Sequence, residues 1–269
     1  MCRLMGYLGL PISLDRLLYK PDHSLVVQSY QPRQMTSGLL NADGFGVGWY
    51  RPERDVLPFT YRNTLPIWND VNLSDLSRYV ESNCVLASVR SATAGQAVDL
   101  SNCQPYKYDR FLGIHNGFIE NFRQTLYRPI RDRLTDSFYQ AIQGSTDSEH
   151  IFALLFNELH LAPDLSLEKA LYKTLILLTD MAQVYGVGFA ANLIVTDGAR
   201  LVASRFASRG KATSSPQPAP SLYWLQDDPH YPEATLIASE PLFLGNWVSC
   251  PERSVLTIGE DLDIQIHQF

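Results

Sequence analysis

Hydrophobic and polar positions along the chain fall into three successive blocks, which predict strands, then helices, then strands again. Alternation and short apolar runs in the first block predict a helical turn at 14–18, a helix at 73–79, and strands at 4–9, 45–50, 56–61, 84–90 and 111–115. Apolar residues at helical spacing in the second block predict helices at 121–142, interrupted at Pro129, and at 148–160 and 167–185.

The third block returns to strand patterns. Residues 190–196 and 201–206 predict a β-hairpin across Asp197-Gly198, and further short strands are predicted at 222–225, 235–238, 254–258 and 264–267. Residues 208–221 are rich in Ser, Pro and Ala, which predicts a mobile surface loop. Because both strand blocks need their apolar faces covered, this order favours an α+β layered fold over a doubly wound α/β fold.

Composition narrows the class of protein. The 269 residues are 45% hydrophobic and 19% charged, as is ordinary for a globular chain. The net charge of −6 argues against a nucleic-acid partner, and no apolar run is long enough to predict a membrane span. The first residues show no basic region followed by an apolar one, so no secretory signal is expected. The four cysteines and six histidines show no metal-ligand spacing, so we expect a cytoplasmic protein with no metal and no cofactor.

The second residue of the chain is the first candidate for chemistry. Removal of Met1 would make Cys2 N-terminal, so that its thiol and an α-amino group share one residue. An α-amino group ordinarily titrates near pH ~8, which suits a base working close to neutrality. Cys2 is therefore predicted to supply both nucleophile and base; the alternative is that a cysteine at this position is incidental.

Acyl transfer also needs donors for an oxyanion. Asn116-Gly117 follows a predicted strand and offers a side-chain amide and a backbone N–H, which are the donor types of an oxyanion hole. The alternative is that Asn116-Gly117 forms a two-residue hairpin turn, which this dipeptide favours.

Two charged residues are candidates for holding an α-amino acid. Arg90 ends a predicted strand, and its planar guanidinium suits a carboxylate; the alternative is a surface ion pair. Asp147 can accept a hydrogen bond from an ammonium group. It also lies in a predicted capping box, in which Thr146 caps a helix and Glu149 reaches back. Arg90 and Asp147 together would point a γ-carbonyl at Cys2.

Four segments carry a resemblance to a known family: Cys2-Arg3-Leu4-Met5-Gly6, SVRSATAG at 88–95, IHNGFIEN at 114–121, and TDSE at 146–149. In this order and spacing they resemble the class-II glutamine amidotransferases, which are N-terminal-nucleophile hydrolases. The resemblance implies one domain over residues 1–269 with a four-layer αββα sandwich. It implies Cys2 as nucleophile with its amine as base, an oxyanion hole of Asn116 and Gly117, carboxylate binding by Arg90 and Thr93, and amine binding by Asp147.

Within that family, the segments at 43–50, 66–73 and 238–242 look like a single-domain branch. The branch includes ergothioneine-pathway hydrolases, which remove γ-glutamate from γ-glutamyl-hercynylcysteine sulfoxide, and glutathione-degrading proteins. Ser88 and Ser91 depart from the His and Trp that often flank the arginine in larger synthetases, a difference that bears on how the pocket closes over substrate and not on the acyl chemistry. Aromatic residues that can hold a trimethylammonium group, with core packing as the alternative, are Trp49, Tyr50 and Trp68.

The first functional hypothesis is therefore a γ-glutamyl amidohydrolase acting on a small-molecule γ-glutamyl substrate, without nucleic acid or membrane partners. The second is a glutaminase subunit that passes ammonia to a partner synthetase, and hydrolysis of another γ-glutamyl compound such as glutathione also stays open. The third is a non-catalytic regulatory domain, against which the intact Cys2, Arg90, Asn116 and Asp147 argue. The oligomeric state is left open, with a homodimer among the assemblies compatible with the sequence.

Overall fold

A computed structural model describes residues 2–35, 38–93, 95–210 and 218–269. Within these ranges the strands are β1 Arg3–Ser13, β2 Phe45–Arg51, β3 Asp55–Asn63, β4 Glu81–Val89, β5 Tyr106–Tyr108, β6 Phe111–Ile119, β7 Phe189–Thr196, β8 Leu201–Arg205, β9 Ala207–Ser208, β10 Tyr223–Asp228, β11 Tyr231–Ala238, β12 Val248–Ser249, β13 Ser254–Ile258 and β14 Ile264–Gln268. The α-helices are α1 Leu14–Leu18, α2 Leu25–Tyr30, α3 Leu73–Tyr79, α4 Tyr127–Arg131, α5 Asp136–Ala141, α6 Asp147–Leu161 and α7 Leu167–Tyr185.

The strands form two sheets. The first sheet has the order β12-β10-β11-β1-β4-β2-β3, and the second has the order β14-β13-β8-β7-β6-β5, with β9 paired to β7. The paired strands run antiparallel. Both sheets are antiparallel, and the helices α4 to α7 follow one another without an intervening strand, which confirms the α+β class.

Alternation along the strands sorts their side chains into different cores. In β1, Leu4 and Leu8 pack with Ile114 and Ile194 of the second sheet, so this core is built from both sheets. The opposite face of β1 packs with α1, α2 and α3. The outward face of β6, β7 and β8 packs with α6 and α7. Gly6 is a point of close approach between the sheets, because an added Cβ would lie 3.4 Å from Ile194.

The predicted hairpin is confirmed as β7 and β8, and Gly198 in its turn has φ +94. The long helices α6 and α7 are also confirmed. The predicted helix at 121–142 is wrong as a single interrupted element. The structure has a 3-10 turn at Phe122–Gln124 followed by α4 and α5, and Pro129 lies inside the first turn of α4. Pro is tolerated there because first-turn N–H groups have no helical acceptor.

Other elements also depart from the predictions. The strand predicted at 111–115 runs through Asn116-Gly117 to Ile119, so this dipeptide neither ends a strand nor forms a hairpin turn. The helix α2 and the short strands β5, β9 and β12 were not predicted from the sequence. Of the loop predicted at 208–221, residues 211–217 lie outside the described residues. No helix in the described ranges has the length and apolarity needed to cross a membrane.

Candidate active site

One pocket brings several of the predicted site residues together. Its volume is about 630 Å³, and Cys2, Thr93, Gly117 and Asp147 all line it. Its walls are the loop around 91–96, the segment 117–124 that follows the middle of β6, and the start of α6. Arg90 and Asn116 do not line the pocket, and both are buried.

Cys2 is held in the pocket by the strand that follows it. The Leu4 N–H donates to Ser239 Oγ over 2.9 Å, and the Ser239 N–H donates back to the Leu4 carbonyl over 3.0 Å. Arg3 is paired in register with Val89 of β4. The residues directly after Cys2 are therefore fixed as part of a sheet. The predicted removal of Met1 concerns a residue outside the described ones.

The other cysteines have environments that disfavour a thiolate. Burial raises the pKa of Cys84 and of Cys250 to about 12, and it also raises the pKa of Cys103. Only Cys2 among the four is partly exposed and lines the pocket. A nucleophilic cysteine must reach its thiolate form, so Cys2 is the cysteine suited to that role.

Asn116 occupies the middle of β6 with a side chain that is 0% exposed. Neither its Oδ1 nor its Nδ2 has a hydrogen-bond partner among the residues that the structure describes. Leaving a buried polar group unpaired costs about 1–3 kcal/mol, so such a group calls for an explanation. Asn116 lies directly opposite Asn192 of β7.

Gly117 places its backbone N–H on the open side of β6. The N–H groups of the alternate residues His115 and Ile119 donate to Gln104 Oε1 over 2.5 Å and to Asp147 Oδ2 over 2.8 Å. Gly117 lies between them, so its N–H faces the same side, where β5 pairs only as far as Gly113. A side chain at Gly117 would overlap the Ala190 carbonyl oxygen, so the position requires glycine.

Asp147 is the first residue of α6, where the helix dipole favours a negative charge. Thr146 caps the helix as predicted, with its Oγ1 accepting from the Glu149 N–H over 3.2 Å. The other half of the predicted capping box is wrong. The Glu149 carboxylate accepts instead from the Gln143 and Gly144 N–H groups, because the chain turns back over the helix start there.

Arg90 is only 5% exposed, which rules out the alternative of a surface ion pair. Its guanidinium donates to the Asp43 carbonyl over 3.2 Å and to Gln96 Oε1 and the Ala97 carbonyl over 3.3 Å each. Gln96 also lines the pocket, so Arg90 holds the pocket-wall loop from behind. A guanidinium has five N–H donors, and among the described residues these bonds use three of them.

The three aromatic residues predicted for a cation surface are not brought to Cys2. Tyr50 lies in the core between the sheets and donates its hydroxyl to the Arg110 carbonyl over 2.7 Å. Trp49 packs against Phe59 with the rings tilted by 35° and their centroids 4.8 Å apart. Trp68 is 39% exposed and does not line the Cys2 pocket. A role for them toward a trimethylammonium group stays a prediction.

A buried charged cluster beside Cys2 was missed by the sequence reasoning. Arg3 is 0% exposed, and its Nη1 donates to Glu240 Oε1 over 3.1 Å. Glu240 Oε2 lies 2.7 Å from His23 Nε2 and accepts from the Arg33 N–H over 2.8 Å. The sequence signal for this cluster is Glu240, a carboxylate two residues after the end of an apolar strand. Asn192 was also missed, although it is a polar residue flanked by apolar residues in β7.

His115 is buried behind the pocket and has two partners. Its Nδ1 lies 2.8 Å from Ser148 Oγ, and its Nε2 lies 3.2 Å from the Ala190 carbonyl. Burial lowers the pKa of His115, which favours a neutral ring. Among the described residues, no group of three or more His, Cys, Asp or Glu is arranged to hold a metal ion.

Comparisons with known proteins point to one family. The family model described as "Glutamine amidotransferases class-II" matches residues 1–238. Among curated proteins, the probable glutamine amidotransferase DUG3 of Saccharomyces cerevisiae is 31% identical over 293 residues, covering 96% of this chain and 82% of the yeast protein. The gamma-glutamyl-hercynylcysteine sulfoxide hydrolase of Mycobacterium tuberculosis is 38% identical over 120 residues, covering 45% of this chain and 50% of that protein.

Solved structures share the fold. A glutamine aminotransferase class-II domain protein from Silicibacter pomeroyi superposes with a TM-score of 0.70 at 24% identity, covering 100% of this chain and 99% of the other. The glutamine phosphoribosylpyrophosphate amidotransferase of B. subtilis gives a TM-score of 0.66 at 15% identity, covering 99% of this chain and 49% of that one.

Proposed function

Because this chain belongs to the class-II glutamine amidotransferases, we propose that it is a γ-glutamyl amidohydrolase whose nucleophile is the thiol of Cys2. The observation that carries the proposal is the shared pocket, in which Cys2 and Asp147 lie together with Gly117. It is reinforced by the buried amide of Asn116, whose polar atoms have no partner within the described ranges. Enzymes place such preorganised donors where negative charge develops in the transition state.

The proposed reaction begins with proton transfer from the Cys2 thiol to its own α-amino group, once Met1 has been removed. The thiolate attacks the γ-carbonyl carbon, and the amide π electrons move to the oxygen to give a tetrahedral oxyanion. Asn116 Nδ2 and the Gly117 N–H donate to this oxygen. The oxyanion collapses, and the C–N bond breaks while the leaving amine takes a proton from the ammonium of Cys2. Water then hydrolyses the thioester and releases glutamate.

Recognition of the γ-glutamyl group is assigned to the pocket walls. Asp147 lies in the wall with its carboxylate, and an α-ammonium group of the substrate suits that charge. Thr93 lines the same pocket, and within the described ranges the guanidinium of Arg90 uses three of its five N–H donors. Thr93 and Arg90 are therefore proposed to bind the α-carboxylate.

We also propose that the chain has the layer order and the single domain that the family resemblance implies. A four-layer αββα order is supported by the three cores, of which one lies between the sheets and two lie between a sheet and helices. One domain over residues 1–269 is supported by β14, which pairs with β13 in the second sheet. It is also supported by Phe269, whose ring stacks on Tyr172 at 4.4 Å between centroids.

For the substrate, we propose γ-glutamyl-hercynylcysteine sulfoxide, on the name of the mycobacterial relatives that are 35% to 38% identical over part of the chain. The second candidate is hydrolysis of glutamine to supply ammonia to a partner synthetase. The name of the yeast relative, which is similar over most of its length, favours that alternative.

The test is glutamate release from glutamine, glutathione and γ-glutamyl-hercynylcysteine sulfoxide, together with the intact mass of the purified protein. We expect the mass to lack Met1 and the sulfoxide to give the highest kcat/KM. Cys2→Ala should abolish release from all three substrates, and the buried Cys250→Ala should leave it unchanged. Full activity of Cys2→Ala would refute the nucleophile, and a preference for glutamine would favour the ammonia-supplying function.

A further inference from the structure

Two asparagines face each other across the second sheet at the pocket end. Asn116 of β6 pairs in register with Asn192 of β7, and both are 0% exposed. Asn116 follows Leu112 and Ile114 on the face of β6 toward the first sheet, and Asn192 shares the face of Ile194. Directly opposed residues on one face of an antiparallel pair have Cβ atoms about 4.5–5.5 Å apart, so these side chains are neighbours.

The orientation of the Asn192 amide is fixed by its contacts. Its Nδ2 donates to the Pro220 carbonyl over 2.8 Å and to the Ser221 carbonyl over 3.3 Å. Two carbonyl oxygens can accept only from the NH₂ end, so the Oδ1 end is assigned without ambiguity. That Oδ1 is buried and has no donor in the described part of the chain. It is an unpaired acceptor on the residue that faces Asn116, whose Nδ2 also has no partner among the described residues.

Asn192 also connects to the strand that carries the nucleophile. Ser221, whose carbonyl accepts from Asn192, donates its hydroxyl to the Ser239 carbonyl over 2.7 Å. Ser239 in turn exchanges two hydrogen bonds with the backbone of Leu4, two residues after Cys2. A continuous hydrogen-bonded path thus runs from β7 of the second sheet to β1 of the first. It links the strand that follows Cys2 to the residue that faces Asn116.

We infer that Asn192 is a positioning residue for the oxyanion donor, an inference that rests on the proposed function. Its Oδ1 takes one N–H of Asn116 Nδ2 during the reaction and leaves the other N–H for the oxyanion. Without Asn192, the Asn116 amide has no fixed neighbour to set its rotation about the terminal torsion, which is broad for asparagine. Asn192 acts through Asn116 and does not touch the substrate.

A double-mutant cycle tests this role. Asn116→Leu alone should lower kcat for glutamate release on the order of 100-fold, the cost of one oxyanion donor. Asn192→Leu, which is close in size but has no polar atom, should lower kcat about 10- to 100-fold through misplacement of Asn116, with KM changed less than about 2-fold. In the Asn116→Leu background, Asn192→Leu should cause less than about 2-fold further loss, because the group it positions is already gone.

The matched control is Thr196→Val, on the same face of β7 and also 0% exposed. Thr196 donates its hydroxyl to the Arg200 carbonyl over 2.6 Å, away from the Cys2 pocket. It should lower the melting temperature and leave kcat unchanged. If Asn192→Leu does not fold, Asn192→Ser carries the same cycle, since its shorter side chain cannot place an acceptor beside Asn116.

The outcomes separate the two proposals. Unchanged kcat in Asn116→Leu would overturn the proposed oxyanion hole, and the role of Asn192 with it. A large loss of kcat in Asn116→Leu would leave the oxyanion hole standing. The role of Asn192 alone would then be overturned if Asn192→Leu left kcat unchanged or raised KM. It would also be overturned if the losses of kcat in the two single variants multiplied fully in the double variant.

Discussion

Replacing Glu240 by Gln should destabilise the protein far more than a change of one atom suggests. Glu240 is 1% exposed and accepts four hydrogen bonds, from Arg3 and the Gln34 N–H on Oε1 and from His23 and the Arg33 N–H on Oε2. Either orientation of a Gln amide turns its NH₂ toward a backbone N–H. The substitution also leaves the buried charge of Arg3 without its counter-ion.

The magnitude follows from that burial. Removing one partner of a buried ion pair costs about 3–5 kcal/mol, because the remaining charge stays desolvated. For a chain of this size, such a loss lowers the melting temperature on the order of 10 °C. The control is Glu252→Gln, whose carboxylate is 44% exposed and lies 3.7 Å from Arg205. An exposed pair of this kind contributes about 0–1 kcal/mol.

Urea unfolding of the wild type, Glu240→Gln and Glu252→Gln measures the difference in unfolding free energy. An unchanged m-value would show that the substitution changes stability alone. Burial raises the pKa of Glu240, but the hydrogen bonds from His23 and the two amides, with the charge of Arg3, outweigh it and hold the pKa below its ordinary range. A carboxyl with a lowered folded pKa stabilises the fold above its unfolded pKa of about 4.3, and that stability is lost as pH falls through the folded value. The unfolding free energy of Glu240→Gln should therefore decrease less steeply with falling pH than that of the wild type. A Glu240→Gln protein within 1 kcal/mol of wild type would refute the reasoning.

Three further predictions concern the site and its support. Gly117→Ala should lower the unfolding free energy by about 1–3 kcal/mol in a denaturant titration, because its Cβ overlaps the Ala190 carbonyl; an unchanged midpoint would contradict the close approach. Arg90→Lys keeps the charge but loses the planar guanidinium with its several N–H donors, so KM should rise about 10-fold in the glutamate-release assay. A wild-type KM would show that Arg90 does not bind the carboxylate. Burial lowers the pKa of His150 to about 4, and its hydrogen bond to the Thr146 carbonyl partly opposes this shift. As pH drops, the unfolded chain therefore binds the proton before the folded chain does, and the unfolding free energy should fall between about pH 6.5 and about pH 4. His150→Gln should flatten that fall in melting temperature, and an unaltered slope would show that His150 does not cause it.

Local pattern was enough to predict much of the fold. The hairpin at Asp197-Gly198 and the helices α6 and α7 depend on turn chemistry and apolar spacing within a few residues, and both signals are visible in the sequence. The N-cap by Thr146 is likewise a contact between residues three apart. Such features are determined by neighbours in sequence, so the sequence by itself predicts them.

The candidate site depended on more than local pattern. Asn116-Gly117 is a favoured turn dipeptide, yet pairing with β7 extends β6 through it to Ile119. Arg90 carries the features of a surface charge, yet the fold buries it behind the pocket wall. Motif resemblance placed these residues in one family, but it did not give their burial or their partners.

What only the tertiary structure decided is the support behind the nucleophile. Glu240 meets Arg3 across 237 residues. Asn192 lies opposite Asn116 and donates to the Ser221 carbonyl only because three separate parts of the chain come together. A buried charge or amide is tolerable only where the fold supplies its partners. The sequence states which polar residues exist, whereas the packing of two sheets decides which of them meet, because those contacts join segments that no local period relates.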